Sequence, residues 1–185
     1  MKKDVLNILC CPYTGEKLIV ENAIYENELI KSGVLTNKNN SKKFEIVNFI
    51  PRFVSGDNYS ENFGIQWNTF RKTQLDSFSG HPISENRFWN ATNWKKEEIR
   101  DQWVLDVGCG AGRFAEVALK AGAKVIALDY SNSVEACYEN LKHFKNFHVI
   151  QADIYNLPFN KRYFKYVYCL GVLQHTPNVK ESLRC

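Results

Sequence analysis

Residues 103–114 read WVLDVGCGAGRF. A short apolar run ends there in Asp106, and glycines follow at the alternate positions 108, 110 and 112, which is typical of a strand, a tight turn and a helix. Glycine lets the backbone take positive φ and lets a ligand approach the main chain closely. Apolar residues then recur at helical spacing from Phe114, and the N–H groups of the first helical turn are free to face a ligand. The stretch therefore predicts a cofactor-binding loop.

The spacing of the glycines decides between the known kinds of nucleotide-binding loop. A dinucleotide fingerprint has glycine at its first, third and sixth positions, but the sixth position counted from Gly108 is Arg113. A P-loop needs Gly-Lys followed by Ser or Thr, which this stretch lacks. The sequence therefore disfavours a nicotinamide-dependent oxidoreductase and excludes a P-loop.

The pattern Asp-x-Gly-x-Gly-x-Gly over residues 106–112 resembles the first motif of class I S-adenosylmethionine-dependent methyltransferases. The resemblance implies an α/β fold with a Rossmann-like parallel sheet, and S-adenosyl-L-methionine as the cofactor. It also implies that Asp106 helps to hold the loop and the methionine end of the cofactor, together with Gly108, Cys109 and Gly110. From the residues alone, Asp106 can also be a buried carboxylate that is bonded to N–H groups of the turn, and the two roles are compatible.

Two further carboxylates end the next two predicted strands. Asp129 follows the second strand, where a carboxylate can accept both ribose hydroxyls of an adenosyl group. A helix-capping or turn role is the alternative for this residue. Asp153 ends the third strand and resembles the family residue that accepts from the adenine amino group. By the same resemblance, Tyr130 and Ile154 belong to the cofactor site, with Ile154 on the adenine ring.

The segment CLGVLQHTP, residues 169–177, resembles the family segment in which a strand end meets the cofactor and opens the substrate side. The resemblance implies cofactor contacts at Leu170 and Gly171. His175 is the candidate catalytic residue, because an imidazole near neutral pH can deprotonate a hydroxyl or an amine. The alternative is that no base is needed, since many methyl transfers need only a nucleophile held in line with the methyl group. Lys165 departs from the family, which usually has Asp at that position.

Strand and helix patterns alternate from Gln102 onward and predict parallel strands with right-handed crossovers. The expected elements of this half-built Rossmann-like sheet are strands at 103–107, 124–128, 147–151 and 165–170, and helices at 112–121 and 132–144. The residues after the fourth strand are too few for the strands and helices that complete a class I methyltransferase sheet. We therefore expect a C-terminally truncated chain whose exposed sheet edge can associate with a second copy.

Residues 1–55 alternate short β-rich runs with polar turns, and Pro51 is expected to stop the last run. The opening LCCPYTGEKL and the closing NFIPRF resemble the small zinc-ribbon-like domain that some methyltransferases carry or partner. A zinc ribbon needs two Cys-x-x-Cys pairs, whereas Cys10 and Cys11 are adjacent and no second pair exists. We expect a β module that binds no metal and serves in packing or protein contact.

Residues 56–100 carry aromatic side chains at helical spacing and are expected to form a helical lid or linker. Tyr59, Phe63 or Trp67 can lie against the sulfonium of the cofactor, since an aromatic face attracts a cation. The alternative is that the aromatic stripe simply packs a helix on the core. Ser84 is expected to open a second short helix in this segment.

The composition is that of an ordinary folded chain, with 44% hydrophobic and 24% charged residues. The net charge of +4 includes no run of five basic residues, so no nucleic-acid partner is expected. No apolar run approaches the roughly 20 residues that span a bilayer. The apolar region at the N-terminus is too short for a secretory signal. We expect a cytoplasmic protein, without a membrane partner, whose cysteines are reduced.

These observations together predict an S-adenosylmethionine-dependent methyltransferase that acts on a small-molecule acceptor. The alternative is a non-catalytic, truncated relative that binds the cofactor or a protein partner. The expected organisation is a β module at 1–55, a helical segment at 56–100 and a cofactor-binding half-domain at 101–185.

Overall fold

The computed structural model describes residues 1–39, 41–54 and 71–183. Its strands are β1 (Leu18–Glu26), β2 (Leu29–Asn37), β3 (Lys43–Val47), β4 (Ile50–Arg52), β5 (Trp103–Val107), β6 (Lys124–Asp129), β7 (Phe147–Gln151) and β8 (Tyr166–Tyr168). Its helices are α1 (Asp76–Ser79), α2 (Ile83–Thr92), α3 (Lys96–Ile99), α4 (Arg113–Lys120), α5 (Ser133–Leu141) and α6 (Val179–Ser182), with 3₁₀ turns at Lys3–Asn7 and Leu173–His175.

The described strands form one sheet in the order β1-β2-β3-β4-β7-β6-β5-β8. The four strands from β5 to β8 are parallel, and β1 to β4 form an antiparallel meander. The meander joins the parallel part where Arg52 lies opposite Gln151, and the Phe53 N–H donates to the carbonyl of Gln151 at 2.7 Å. The predicted α/β fold with a Rossmann-like parallel sheet is confirmed.

The expected elements of the parallel part agree with the structure within one residue at each end, with two exceptions. The helix expected at 132–144 ends at Leu141, and the strand expected at 165–170 is reduced to the three residues of β8. The expectation that Pro51 stops the preceding strand is wrong, because Pro51 lies within β4 opposite Ile46. Proline lacks an N–H, so it fits a strand where the neighbouring strand does not need that donor.

Alternate side chains of the parallel strands enter two cores on opposite faces of the sheet. Val104 and Val125 face a core that α2, α4 and α5 cover. Leu105 and Ile126 face a second core that the 3₁₀ turn Lys3–Asn7 and the meander cover. Because both faces of the sheet are covered, the strand sequences are nearly continuous apolar runs, which is typical of parallel sheets.

β8 lies at one end of the sheet and pairs with β5. Tyr166 and Tyr168 on one face of β8 are buried, because the Trp94 ring packs edge-on against both at centroid distances of 5.0 Å and 6.1 Å. Val167 on the other face is 49% exposed. The exposed apolar surface of this strand is therefore on one face only, and self-association through this edge stays a prediction.

Several expectations concern residues whose structure is not described. The predicted aromatic contacts to the cofactor lie outside the described residues: Tyr59, Phe63 and Trp67. Ser84 lies inside α2, which begins one residue earlier. The division of the chain into three parts stays a prediction. No helix in the described ranges is both long and apolar enough to cross a bilayer.

Arg52 connects the meander to the parallel sheet through its side chain. Its Nη1 donates to Oε1 of Gln151 at 2.6 Å, and its Nη2 forms an ion pair with Glu135 on α5. Nε2 of Gln151 donates in turn to the carbonyl of Tyr130 at 3.1 Å and to Oδ1 of Asn132 at 3.2 Å. A side chain of the N-terminal meander thus supports the loop that follows β6.

We expect Arg52→Met to lower the free energy of unfolding by about 2–4 kcal/mol, because the Glu135 carboxylate and Oε1 of Gln151 lose their guanidinium partner in a half-buried site. Arg52→Lys keeps the charge but loses the fork of donors, so its loss should be smaller. Urea denaturation followed by circular dichroism measures both. The exposed Arg162→Met serves as the control, and a loss at residue 52 no larger than that of this control would contradict the role of the network.

Candidate functional site

A cavity of about 370 Å³ opens at the carboxyl ends of the parallel strands, where open α/β sheets bind their ligands. Its volume lies in the usual range of small-molecule sites, about 300–1,000 Å³. Of the ten residues predicted to bind a cofactor, Asp106 does not line the cavity and is 2% exposed. The other nine all line it: Gly108, Cys109, Gly110, Asp129, Tyr130, Asp153, Ile154, Leu170 and Gly171.

The first and third glycines of the loop are required by packing within the protein. A β-carbon at Gly108, where φ is +78°, would lie 2.4 Å from Cγ2 of Val172. A β-carbon at Gly112, where φ is +92°, would lie 2.6 Å from Cδ1 of Leu141 and 3.0 Å from Sγ of Cys137. The sequence suggests that these glycines leave room for a ligand. The structure shows that Val172 and Leu141 occupy the space that a β-carbon at these two positions would need.

Four N–H groups of the glycine loop are bonded within the protein. Gly108 and Cys109 both donate to the carbonyl of Leu128, at 2.7 Å and 3.0 Å. Gly110 donates to Oδ2 of Asp129 at 2.9 Å. Gly112 donates to the carbonyl of Cys109 at 2.9 Å, so at this residue the expectation of a free N–H at the helix start is wrong. These bonds fix the shape of the loop before a ligand binds.

We expect Gly112→Ala to lower the free energy of unfolding by about 2–5 kcal/mol, because it adds left-handed backbone strain and a clash with Leu141. Gly80 is a matched control, since its φ is +73° and a β-carbon there would meet nothing within 4 Å. Gly80→Ala should therefore show the strain alone, about 1–2 kcal/mol. Equal losses in chemical denaturation would show that packing at residue 112 is not tight.

Asp129 is engaged by the turn that follows β6. Its Oδ1 accepts from the N–H and the hydroxyl of Ser131, at 2.9 Å and 2.8 Å, and its Oδ2 accepts from the N–H of Gly110. A carboxylate offers about four lone-pair sites. The turn role that was the alternative for Asp129 is therefore present, and the acceptor capacity left for a ligand lies mainly on Oδ2.

Asp153 and Tyr130 lie on the part of the cavity that follows β6 and β7. Oδ1 of Asp153 accepts from the N–H of Tyr155 at 3.0 Å. Burial raises the pKa of Tyr130, and the charge of Asp153 raises it further. The N-terminal segment contacts the loop that follows β7, because the N–H of Cys10 donates to the carbonyl of Pro158 at 2.9 Å.

Asp106 is a buried acid, and its contact with the methionine end of the cofactor stays a prediction. Burial raises its pKa from 3.8 to about 8, and the charge of Asp129 acts in the same direction. The nearby phenol of Tyr168 lowers the pKa, yet Oδ2 of Asp106 and the Tyr168 hydroxyl each have no partner with normal hydrogen-bond geometry among the described residues. Asp106 is therefore mostly protonated at neutral pH in the folded protein.

The raised pKa of Asp106 predicts a pH dependence of stability. Between about pH 4 and pH 8 folded Asp106 keeps a proton that it loses on unfolding, so its own contribution to the free energy of unfolding falls as the pH rises. The contribution is up to about 1.4 kcal/mol per pH unit. Burial lowers the pKa of His148 to about 4 and that of the Met1 ammonium to about 5, and these two groups make the free energy of unfolding rise with pH. Asp106→Asn removes only the opposing contribution of Asp106, so urea denaturation from about pH 5 to about pH 7 should show a free energy of unfolding that rises more with pH than in wild type. The same change of the free energy of unfolding with pH in both proteins would contradict a neutral Asp106. Asp101→Asn, at an exposed aspartate, is the control.

The cavity also contains side chains that the sequence reasoning did not assign to a site. Arg71, Gln74, Arg87 and Arg113 come from the turn at 71–75 and from α2 and α4. Asn140 on α5 holds this turn, because its Nδ2 donates to the carbonyls of Arg71 at 2.8 Å and Ala111 at 2.9 Å. No local pattern in the sequence links these segments, since the contacts join residues far apart in the chain.

His175 lies on the 3₁₀ turn after β8 and is an exposed part of the cavity lining. Its Nε2 lies 3.3 Å from Nε2 of Gln174. The structure thus places the imidazole at the cavity, and its action as a base stays a prediction. Within the described ranges, no group of three or more His, Cys, Asp and Glu side chains could hold a metal ion, and the expectation of no structural zinc stays a prediction.

Comparison with known proteins adds the family context. Residues 105–185 match the family model of the methyltransferase domain. A demethylmenaquinone methyltransferase of Staphylococcus haemolyticus is 33% identical over 124 residues, which are 62% of this chain and 48% of that protein. A tRNA U34 carboxymethyltransferase of Pseudoalteromonas translucida is 31% identical over 109 residues, 53% of this chain and 33% of that protein. The chain spans about half the length of these relatives or less.

Among solved structures, a protein of Methanococcus maripaludis superposes with a TM-score of 0.53 at 19% identity, over 71% of this chain and 60% of that chain. It is provisionally described as an S-adenosyl-L-methionine-dependent methyltransferase. The fold is the Rossmann-like fold of class I methyltransferases. At this identity the likeness establishes the fold alone, and the chemistry has to be argued from the cavity.

Proposed function

We propose that this chain binds S-adenosyl-L-methionine in the cavity and transfers its methyl group to a small-molecule acceptor. The observation that carries the proposal is that one cavity brings together the glycine loop after β5, Asp129 after β6 and Asp153 after β7. The match of residues 105–185 to a methyltransferase domain and the relatives named as methyltransferases support it.

The residues present fit the parts of this cofactor in order along the sheet edge. Asp153 would accept from the adenine amino group, with Ile154 against the ring. Asp129 would accept from the ribose through Oδ2, and the loop from Gly108 to Gly110 would lie along the methionine end. The cofactor supplies a methyl group on a positively charged sulfur.

The contribution of the chain to the reaction is chiefly to position the acceptor. Gly171 leaves the loop after β8 without a side chain at the cavity, and Leu170 and Val172 give that part of the lining an apolar character. His175, on the same side, would take the proton of a hydroxyl or amine acceptor. Acceptors that lose no proton in the reaction would need positioning only.

We expect Asp129→Asn to weaken binding of S-adenosylhomocysteine about 10- to 100-fold, which corresponds to the roughly 1.5–3 kcal/mol of a charged hydrogen bond. Titration calorimetry measures the affinity. Denaturation of the same variant shows whether the turn at Gly110 and Ser131 survives. Asp101→Asn is the control outside the cavity, and unchanged affinity in a folded Asp129→Asn variant would refute the ribose contact.

The acceptor class is tested with cofactor that carries a labelled methyl group. The protein is incubated separately with the low-molecular-weight fraction and with the RNA fraction of a cell extract. Label in small molecules supports the proposal, whereas label in RNA alone overturns the small-molecule acceptor. Binding of S-adenosylhomocysteine without transfer to either fraction would favour the non-catalytic alternative.

A further inference from the structure

The charges that line the cavity are separated along the edge of the sheet. Asp129 and Asp153 follow β6 and β7 on one side of the glycine loop. Gly171 follows β8 on the other side, and the nearest atom to the place of its missing β-carbon is Nη2 of Arg87, at 3.6 Å. The Arg87 guanidinium therefore lies at the β8 end of the cavity, away from the two carboxylates.

The arginines of the cavity differ in how their charge is balanced. Arg71 forms an ion pair with Glu139 at 3.7 Å. Arg113 donates to two neutral acceptors, Oγ of Ser84 at 3.2 Å and Oε1 of Gln74 at 2.9 Å. Among the described residues, no carboxylate lies within 4.0 Å of the nitrogens of Arg87 or Arg113.

Arg87 and Arg113 are also close to each other. Both stack on the Phe114 ring, with their guanidinium carbons 5.7 Å and 4.7 Å from its centroid. Burial lowers the pKa of Arg113, and the charge of Arg87 lowers it further. The two positive charges repel each other, and a negative ligand between them would relieve this repulsion. Arg113 is held by Gln74 and Ser84, whereas Arg87 is exposed and can turn toward a ligand.

The balance of charge leaves Arg87 as the cavity arginine most able to bind a negative ligand. Glu139 pairs with Arg71, and the charge of Asp76 acts on Arg113 and raises its pKa. Asp129 and Asp153 lie toward the other end of the cavity. An acceptor with a negative charge would therefore offset the charge of Arg87.

We propose that the methyl acceptor carries an anionic group, a carboxylate or a phosphate, which binds Arg87 at the β8 end of the cavity. This inference rests on the proposed cofactor site, because the acceptor has to meet the methyl group in the same cavity. Guanidinium binds both anions through paired N–H donors, and a lysine in its place provides a point charge only. Arg87 is then a specificity-determining residue, in contact with the acceptor rather than with the reacting atoms.

The experiment compares wild type with Arg87→Gln and Arg87→Lys, with Arg162→Gln as a control at an exposed arginine outside the cavity lining. Each protein is saturated with S-adenosylhomocysteine and titrated by calorimetry with inorganic phosphate and, separately, with benzoate, at constant ionic strength. We expect wild type and the control to bind at least one anion, and Arg87→Gln to bind it about tenfold or more weakly. Arg87→Lys should lie between them. The anion that binds more tightly identifies phosphate or carboxylate as the preferred group.

Three outcomes would overturn the inference, and each is separable from failure of the cofactor site. Equal anion affinity in wild type and a folded Arg87→Gln variant, or no anion binding to wild type, removes the anion site. Methylthioadenosine lacks the amino-acid part of the cofactor. If Arg87→Gln loses affinity for S-adenosylhomocysteine but keeps its affinity for methylthioadenosine, Arg87 binds the carboxylate of the cofactor itself. If S-adenosylhomocysteine does not bind wild type, the proposed function fails, and anion titrations of the unliganded proteins still decide whether Arg87 binds anions.

Discussion

The backbone of the glycine loop lies so close to two other parts of the chain that side chains at its ends have no room. Val172, from the loop after β8, occupies the space next to Gly108, and Leu141 of α5 occupies the space next to Gly112. The loop therefore fixes the distance between β5, α5 and the segment that carries His175. Interiors packed at this density tolerate little change of volume, so the walls of the cavity depend on these two contacts.

Hydrogen bonds give the same loop its position relative to the neighbouring strand. Gly110 is bonded to Asp129, and Gly108 and Cys109 share the carbonyl of Leu128. The loops after β5 and β6 thus form one unit in which Asp129 is both a structural acceptor and the proposed ribose ligand. Such a pre-organised site loses little conformational entropy when a ligand binds.

The N-terminal meander takes part in this arrangement from the far side of β7. Arg52 bonds to Gln151, and Gln151 bonds to the carbonyl of Tyr130. The meander and the 3₁₀ turn before it also cover the second face of the parallel sheet. The meander therefore supports the β6 and β7 side of the cavity, whereas α2 provides Arg87 at the β8 end.

The elements of the parallel sheet could be predicted from the sequence, and nine of the ten residues assigned to a cofactor line the cavity. These features are local: apolar periodicity marks strands and helices, and glycine and aspartate at strand ends mark the turns between them. Three further facts became visible in the folded chain alone: Pro51 lies within a strand, Asp106 is a buried and mostly neutral acid, and Arg87 reaches Gly171. Those facts depend on contacts between segments far apart in the chain, and no local period in a single sequence records which distant segments meet or how deeply a side chain is buried.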